Sequence, residues 1–266
     1  MIIVGEKINS SLKGVTEAIK DRNSEFIQQR AIVQAENGAT YIDVNCGTLI
    51  DEEVEALAWL VETVQKVVDR PCCIDTPNPL ALVAALKVHK GKPLINSISA
   101  EKERYNLMMP HVRQNKAGVV ALVMDDEHGM PKDSATRIQI GLNLIRNLSN
   151  DGIPITDIYI DPLIQPISSG SEMAVVAIDT IIGIRAIYPE VHFMCGLSNV
   201  SYGLPKRVIL NRTFLAIAMF AGLDGAILDP GNKQMMAMIF AAEALLNKDM
   251  FSKNYLKAFR KGLLEL

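Results

Sequence analysis

The sequence predicts a (β/α)8 TIM barrel, an α/β fold. Three observations lead there. Eight short apolar runs recur along the chain, and each is followed by a helical segment. The runs are continuously apolar rather than alternating, as expected of a parallel sheet covered by helices. The chain has 266 residues, close to the roughly 250 that one such barrel needs. No linker or low-complexity stretch divides it, so residues 1–266 are expected to form a single domain. A doubly wound open sheet is the competing arrangement, but no Gly-x-Gly-x-x-Gly follows the first strand.

Each element can be justified in order. Ile2 to Val4 is a strand that runs into Gly5-Glu6-Lys7-Ile8-Asn9. Glu25 to Asn37 reads as a helix with Gly38 as its stop. Thr40 to Val44 is the second strand, and Asp43-Val44-Asn45-Cys46-Gly47 closes it. Glu52 to Asp69 is an amphipathic helix, with Val54, Leu57, Ala58, Val61, Val64 and Val68 on one face. Pro71 breaks it. Cys72 to Asp75 is strand three, and Asn78 before Pro79 reads as the cap of a helix to His89. Pro93 to Asn96 is strand four, followed by a helix from Ala100 to Asn115. Gly118 to Met124 and Asp133 to Leu148 form the fifth pair. Ile155 to Asp161 and Ser171 to Tyr188 form the sixth. Val191 to Leu197 and Lys206 to Ala221 form the seventh. Gly225 to Asp229 and Lys233 to Leu246 form the eighth, and Phe251 to Leu264 is a tail helix.

Composition excludes several classes of function. Net charge is 27 − 30 = −3 with no basic block, so nucleic acid is not an expected partner. Cys46, Cys72, Cys73 and Cys195 lack CxxC spacing, which excludes a zinc finger or iron–sulfur cluster. Their place in apolar runs suits reduced thiols in a cytoplasmic protein. The N-terminus lacks a charged, signal-like segment. The longest apolar stretch, Thr213 to Leu223, falls short of the roughly 20 residues that span a bilayer, so no membrane association is expected.

In such a barrel the reactive face is built from the C-terminal strand ends. Here those ends carry Asn9, Asp43, Asn45, Asp75, Asn96, Asp125, Asp161, Ser198, Asn199 and Asp229. Carboxylates and amides dominate, and histidine is missing. His192 falls at the start of strand seven, on the opposite face. A hydrolytic triad and a zinc hydrolase both want histidine at these positions. Asp43, Asp75 and Asp161 could hold Mg²⁺, but no metal is expected. Asp229-Pro230-Gly231 is a poor phosphate site, because the carboxylate repels phosphate and proline removes a donor. A neutral or cationic heterocycle remains. A carboxylate can take two parallel N–H bonds from a 2-amino-3-NH-4-oxo edge, and an amide can both donate and accept at neighbouring ring atoms. The competing reading is that each Asp or Asn merely caps the next helix.

Eight segments in the same order carry a family resemblance. They are Glu6-Lys7-Ile8-Asn9, Asp43-Val44-Asn45-Cys46-Gly47, Ile74-Asp75-Thr76-Pro77-Asn78, Ile95-Asn96-Ser97, Gly129-Met130-Pro131-Lys132-Asp133-Ser134, Tyr159-Ile160-Asp161-Pro162-Leu163, Gly196-Leu197-Ser198-Asn199-Val200-Ser201 and Asn211-Arg212-Thr213-Phe214-Leu215. The chain resembles the methyltetrahydrofolate:corrinoid/iron–sulfur protein methyltransferases, which share a pterin-binding barrel with dihydropteroate synthase and the folate domain of cobalamin-dependent methionine synthase. The resemblance implies that Asp75, Asn96 and Asp161 hold the pterin edge. It implies that Asn199 is the catalytic group at N5, the methyl-bearing nitrogen of tetrahydrofolate. Gly196, Ser198 and Tyr202 would line the folate site, and Arg207 would lie near its benzoyl-glutamate end. The family often has Gln where Tyr202 stands.

The resemblance further implies that tetrahydrofolate or 5-methyltetrahydrofolate is a substrate and that a corrinoid (cobalamin) arrives on a partner protein, because the Asp-x-His-x-x-Gly corrinoid signature does not occur. Transfer from methylcorrinoid to tetrahydrofolate is the favoured direction. Apolar residues in the helix from Lys206 and in the tail helix suggest a homodimer. Dihydropteroate synthase is the alternative, but Asn9-Ser10-Ser11-Leu12-Lys13 replaces its Thr-Pro-Asp-Ser-Phe loop and Leu228-Asp229-Pro230-Gly231 its basic motif. A pterin-binding protein without catalysis is the other alternative.

Overall fold

The computed structural model describes residues 1–264. Eight parallel strands form the sheet: β1 (Ile2–Gly5), β2 (Tyr41–Val44), β3 (Cys72–Asp75), β4 (Leu94–Ser99), β5 (Gly118–Leu122), β6 (Ile158–Asp161), β7 (His192–Phe193) and β8 (Gly225–Leu228). They pair in the order β7-β6-β5-β4-β3-β2-β1-β8. The ring closes where the Ile227 N–H donates to the Cys195 carbonyl at 2.9 Å. Around it lie α1 (Val15–Lys20), α2 (Ser24–Glu36), α3 (Glu53–Gln65), α4 (Pro79–Val88), α5 (Lys102–Gln114), α6 (Ser134–Asn150), α7 (Met173–Arg185), α8 (Arg207–Ala221), α9 (Lys233–Leu245) and α10 (Lys253–Arg260). This is the expected (β/α)8 barrel.

Two cores explain why the strands read as unbroken apolar runs. Ile3, Ile42, Ile74, Ile95, Val119 and Ile160 point outward into the large core beneath the helices. Val4, Cys73, Leu94, Val120, Tyr159 and Met194 form a separate core inside the ring. Side chains on a strand repeat with period two. Asp75, Asn96, Asp161 and Gly196 each stand two residues beyond a member of that inner core. They therefore face inward too, one layer nearer the C-terminal mouth.

Where the elements differ from expectation, the cause is local. β7 keeps only two residues, and Leu197 lies outside it in a 3-10 turn, Leu197–Ser201. The Gly196 carbonyl takes the Asn199 N–H at 3.3 Å, which starts that turn. Side chains compensate for so short a strand. Asp224 accepts from His192 Nδ1 at 2.8 Å and from the Phe193 N–H at 2.7 Å. Arg185 donates to the carbonyls of Val191 and Gly222 at 2.7 and 2.6 Å. His192 stacks on Tyr159, so its role is structural and far from the mouth. The expected start of strand six is instead a 3-10 turn, Ile155–Asp157, entered from Pro154. The tail helix shrinks to α10, because Phe251 and Ser252 take φ of 56° and 52° ahead of it and Gly262 takes φ 67° after it. Gly38, at φ 98°, ends α2 as expected. Asn78 caps α4, accepting from the Leu80 N–H at 3.0 Å.

Candidate active site

The mouth is built on β3 and β4. Asp75 and Asn96 are direct neighbours in the register of these strands. Asn45, just past β2, donates Nδ2 to Asp75 Oδ2 at 3.0 Å and to the Asp75 carbonyl at 3.2 Å. The other Asp75 oxygen and the Asn96 amide make no hydrogen bond among the described residues. Arg104 clamps the next residue, donating to the Ser97 carbonyl at 3.0 and 3.1 Å. Burial pushes the Asp75 carboxyl up to about 6, against the Asn45 bond and the Arg104 charge.

Asp43 sits deeper. Burial, and then the charge of Asp75, hold its carboxyl well above the usual range. Its Oδ1 is buried with no hydrogen-bond partner among the described residues. Across the ring, Asp161 ends β6 beside Leu122 of β5. Its Oδ1 accepts the Leu163 N–H at 2.8 Å. Burial pushes it up to about 7, against that bond and the charge of Arg137. Acids raised by burial can each accept further N–H bonds, and such bonds would favour their ionised forms. No three metal-capable side chains converge among the described residues.

Asn199 stands over this layer on the 3-10 turn Leu197–Ser201. Its side chain folds across Gly196, where an added Cβ would meet Asn199 Nδ2 at 3.2 Å. Its amide makes no hydrogen bond among the described residues. Tyr202, largely exposed at 67%, borders a cleft of about 500 Å³ with Asn199, Met130, Ile164 and Gln165. Ser198 instead lines a cleft of about 70 Å³ with Glu6 and Asp229. Asp229 is tied to Lys7 at 2.9 Å.

Arg207 is exposed at the start of α8, and its guanidinium lies over the Tyr202 ring at 5.9 Å. It donates from Nη2 to the Ser198 carbonyl at 2.7 Å and from Nε to Ser201 Oγ at 3.1 Å. These two bonds brace the turn that presents Asn199.

Two residues escaped the sequence reading. Glu53, buried at the start of α3, accepts from Thr76 Oγ1 at 2.6 Å and Asn78 Nδ2 at 3.0 Å, and so fixes the loop after Asp75. Arg137 is wholly buried on α6. A signal existed for it: Arg137 shares the buried stripe of α6 with Ile140, Leu144 and Leu148, and a cation on such a stripe needs partners.

Fold and mouth together define a (β/α)8 barrel whose C-terminal face is lined by acids and amides. A family model described as pterin binding enzyme matches residues 9–229. The chain belongs to the pterin-binding enzyme family. It is 38% identical over 264 residues to the methylcorrinoid:tetrahydrofolate methyltransferase of Eubacterium limosum, spanning 98% of this chain and 97% of that protein. That relative bears out the methyltransferase resemblance carried by the eight segments. Over 240 residues the chain is 29% identical to methionine synthase of Mycobacterium tuberculosis, spanning 85% of this chain and 20% of that one. Among solved structures, dihydropteroate synthase of Vibrio fischeri ES114 superposes with a TM-score of 0.72 at 17% identity, over 92% of this chain and 93% of that chain. The Yersinia pestis enzyme gives 0.68 at 18% identity, with the same coverage. Likeness at that identity concerns the fold alone. No helix among the described residues is long and apolar enough to cross a membrane.

Proposed function

We propose that this protein moves a methyl group from the cobalt of a corrinoid, carried by a partner protein, to N5 of tetrahydrofolate. The observation that carries the proposal is the inward-facing polar layer of Asp75, Asn96 and Asp161 beneath the Asn199 turn. The direction follows the name of the full-length relative.

In this reading Asp75, Asn96 and Asp161 take the N–H and carbonyl groups of the pterin's pyrimidine edge. Asp43 Oδ1, without a partner among the described residues, adds a polar floor beneath them. Gly196 leaves room for Asn199 to reach N5, and Ser198 and Tyr202 line the two sides of the turn. The N5 lone pair forms the new N–C bond while the Co–C bond breaks, and cobalt keeps both electrons. N5 still carries its hydrogen at that moment and becomes cationic. The Asn199 amide oxygen accepts from that N–H as charge develops, and the proton then leaves to water. A bond that strengthens only in the transition state lowers the barrier by about 3 kcal/mol. In reverse, the same contact favours N5 as a leaving group.

The corrinoid partner docks on the open mouth, against Tyr202. The protein further acts as a homodimer in the cytoplasm. Exposed Ile209, Ile217 and Phe220 of α8 and Met250, Phe251 and Phe259 near the tail support an apolar contact face. Four buried free cysteines suit a reducing compartment. Purified protein incubated with tetrahydrofolate and methylcobalamin should form 5-methyltetrahydrofolate. If no methyl moves in either direction and tetrahydrofolate does not bind, the proposal is wrong. Sedimentation tests the dimer, which Phe220→Asp should split.

A further inference from the structure

We propose that Arg137 is a positioning residue for tetrahydrofolate, locking the turn that aims Asp161 at the pterin; this rests on the site reading above. Arg137 belongs to the first turns of α6, and its side chain is fully buried. Three carbonyls receive it. Nε donates to Pro131 at 2.8 Å, and Nη1 donates to both Pro162 and Leu163 at 2.8 Å. Its Nη2 finds no partner among the described residues. No carboxylate among the described residues makes a hydrogen bond or ion pair with it. A buried guanidinium without a direct counter-ion is costly to keep, so general stability is a poor reason for its presence.

Its partners show what it does. Leu163 stands at φ 58°, a conformation that side-chain-bearing residues disfavour. Two of the three acceptors are the carbonyls on either side of that residue's own N–H, those of Pro162 and Leu163. With the turn pinned so, the Leu163 N–H points back and binds Asp161 Oδ1 at 2.8 Å. One carboxylate oxygen is thereby fixed and the other is left for a ligand. The third acceptor, Pro131, belongs to the loop that brings Met130 to the cleft beside Asn199 and Tyr202. A single planar fork thus ties the loops after β5 and β6 together at the rim. Lysine cannot reproduce that geometry.

Charge adds a second effect. α6 brings the Arg137 cation and, at its cap, Asp133. The segment after β7 brings the Cys195 thiol, pushed up by burial and the charge of Asp161. β5 places the apolar Leu122 alongside. Burial raises the Asp161 carboxyl, and the Leu163 N–H and then the Arg137 cation favour its ionised form.

The test compares Arg137→Lys, which keeps the charge without the fork, with Arg137→Met, which keeps neither. Tetrahydrofolate binding and methyl transfer from methylcobalamin are measured from pH 5.5 to 9. We expect Arg137→Lys to weaken binding about tenfold, to raise KM more than it lowers kcat, and to leave the acid limb of binding in place. We expect Arg137→Met to weaken binding further and to move that limb to higher pH. Leu163→Gly added to Arg137→Lys should restore most of the binding, since glycine takes φ 58° freely. Wild-type binding and an unmoved limb in Arg137→Met would overturn the proposal, and so would a failure of Leu163→Gly to rescue. If both Arg137 variants unfold, Leu163→Pro decides. It keeps the guanidinium but loses the N–H and cannot adopt the turn, and normal binding there would also overturn the proposal. Failure of the site reading itself looks different: the wild type would not bind tetrahydrofolate, or Asp161→Asn would bind as well as wild type.

Discussion

Asp161→Asn should make the empty protein more stable at pH 8 while removing its ligand. The carboxyl is pushed up to about 7 in the folded state, against about 3.9 when unfolded. The folded state therefore binds a proton that the unfolded state has already lost between these values. That contribution is fully present below about pH 4 and is lost as pH rises through about 7. Three units correspond to about 4 kcal/mol, an upper figure. Asp161 is half-buried at the mouth, and screening by water reduces the effect to roughly 2 kcal/mol. Asparagine keeps the shape and can still accept the Leu163 N–H, but carries no charge. For a chain of this size each kcal/mol moves the midpoint by about 2–4 °C. Unfolding of ligand-free protein should thus occur about 4–8 °C higher in Asp161→Asn at pH 8, and the two proteins should converge near pH 4. Calorimetry at both pH values reads this. With its oxygen on the Leu163 N–H, the amide turns its own N–H donors toward those of the ligand, so tetrahydrofolate affinity should fall by about a hundredfold at pH 8. If the variant is no more stable than wild type at pH 8, the burial argument for the mouth is wrong.

Three further outcomes are expected. Asn199→Ala should slow methyl transfer by roughly ten- to a hundredfold with tetrahydrofolate binding changed far less; stopped-flow spectra of the corrinoid would show it, and an unchanged rate would remove Asn199 from the chemistry. Gly141→Ala should cost about 1 kcal/mol. Its Cβ would lie 2.4 Å from Ile184 Cδ1, an overpacking of roughly 2 kcal/mol offset by roughly 1 of helix propensity. Adding Ile184→Val, which deletes that methyl, should restore stability in urea titration. Asp224→Asn should cost about 1–3 kcal/mol by weakening the bonds to His192 and Phe193. Burial raises the Asp224 carboxyl, but His192, the Phe193 N–H and Arg185 hold it below the usual range. The wild type's advantage should therefore be full near neutrality and fade as pH falls below about 4 in thermal scans.

Much of this was legible in the chain because barrel strands are short and buried on both faces. Cys72-Cys73-Ile74-Asp75 and Ile158-Tyr159-Ile160-Asp161 announce themselves as apolar runs ending in one carboxylate. Inward direction was not legible, because an all-apolar strand hides its own alternation. Only the split between inner and outer cores shows that Cys73 and Tyr159 look inward and take Asp75 and Asp161 with them. The seventh strand misled for a related reason. Met194 and Cys195 are as apolar and buried as any strand residue, but their extended backbone carries few ladder bonds. Arg207 was legible as a cation and not as a brace, since its acceptors, Ser198 and Ser201, are set by the fold of one turn.

The two ends of the barrel treat charge in opposite ways, and the contrast supports the proposed site. At the N-terminal end Asp224, His192 and Arg185 satisfy one another and hold the weakest strand junction. At the C-terminal end Asp43, Asp75 and Asp161 are all pushed up by burial, and one Asp43 oxygen lacks a partner among the described residues. A fold selected for stability alone would fill that layer with the valine and leucine used just below it. Keeping three strained acids there makes sense when a ligand supplies the missing donors and binding repays the cost of burying charge. Arg104 and Arg137 fit the same logic. Arg104 grips the Ser97 carbonyl of β4 and Arg137 the loop carbonyls after β6, each beside an acid and neither bonded to its carboxylate among the described residues, which in the proposed site leaves the acids open to the heterocycle.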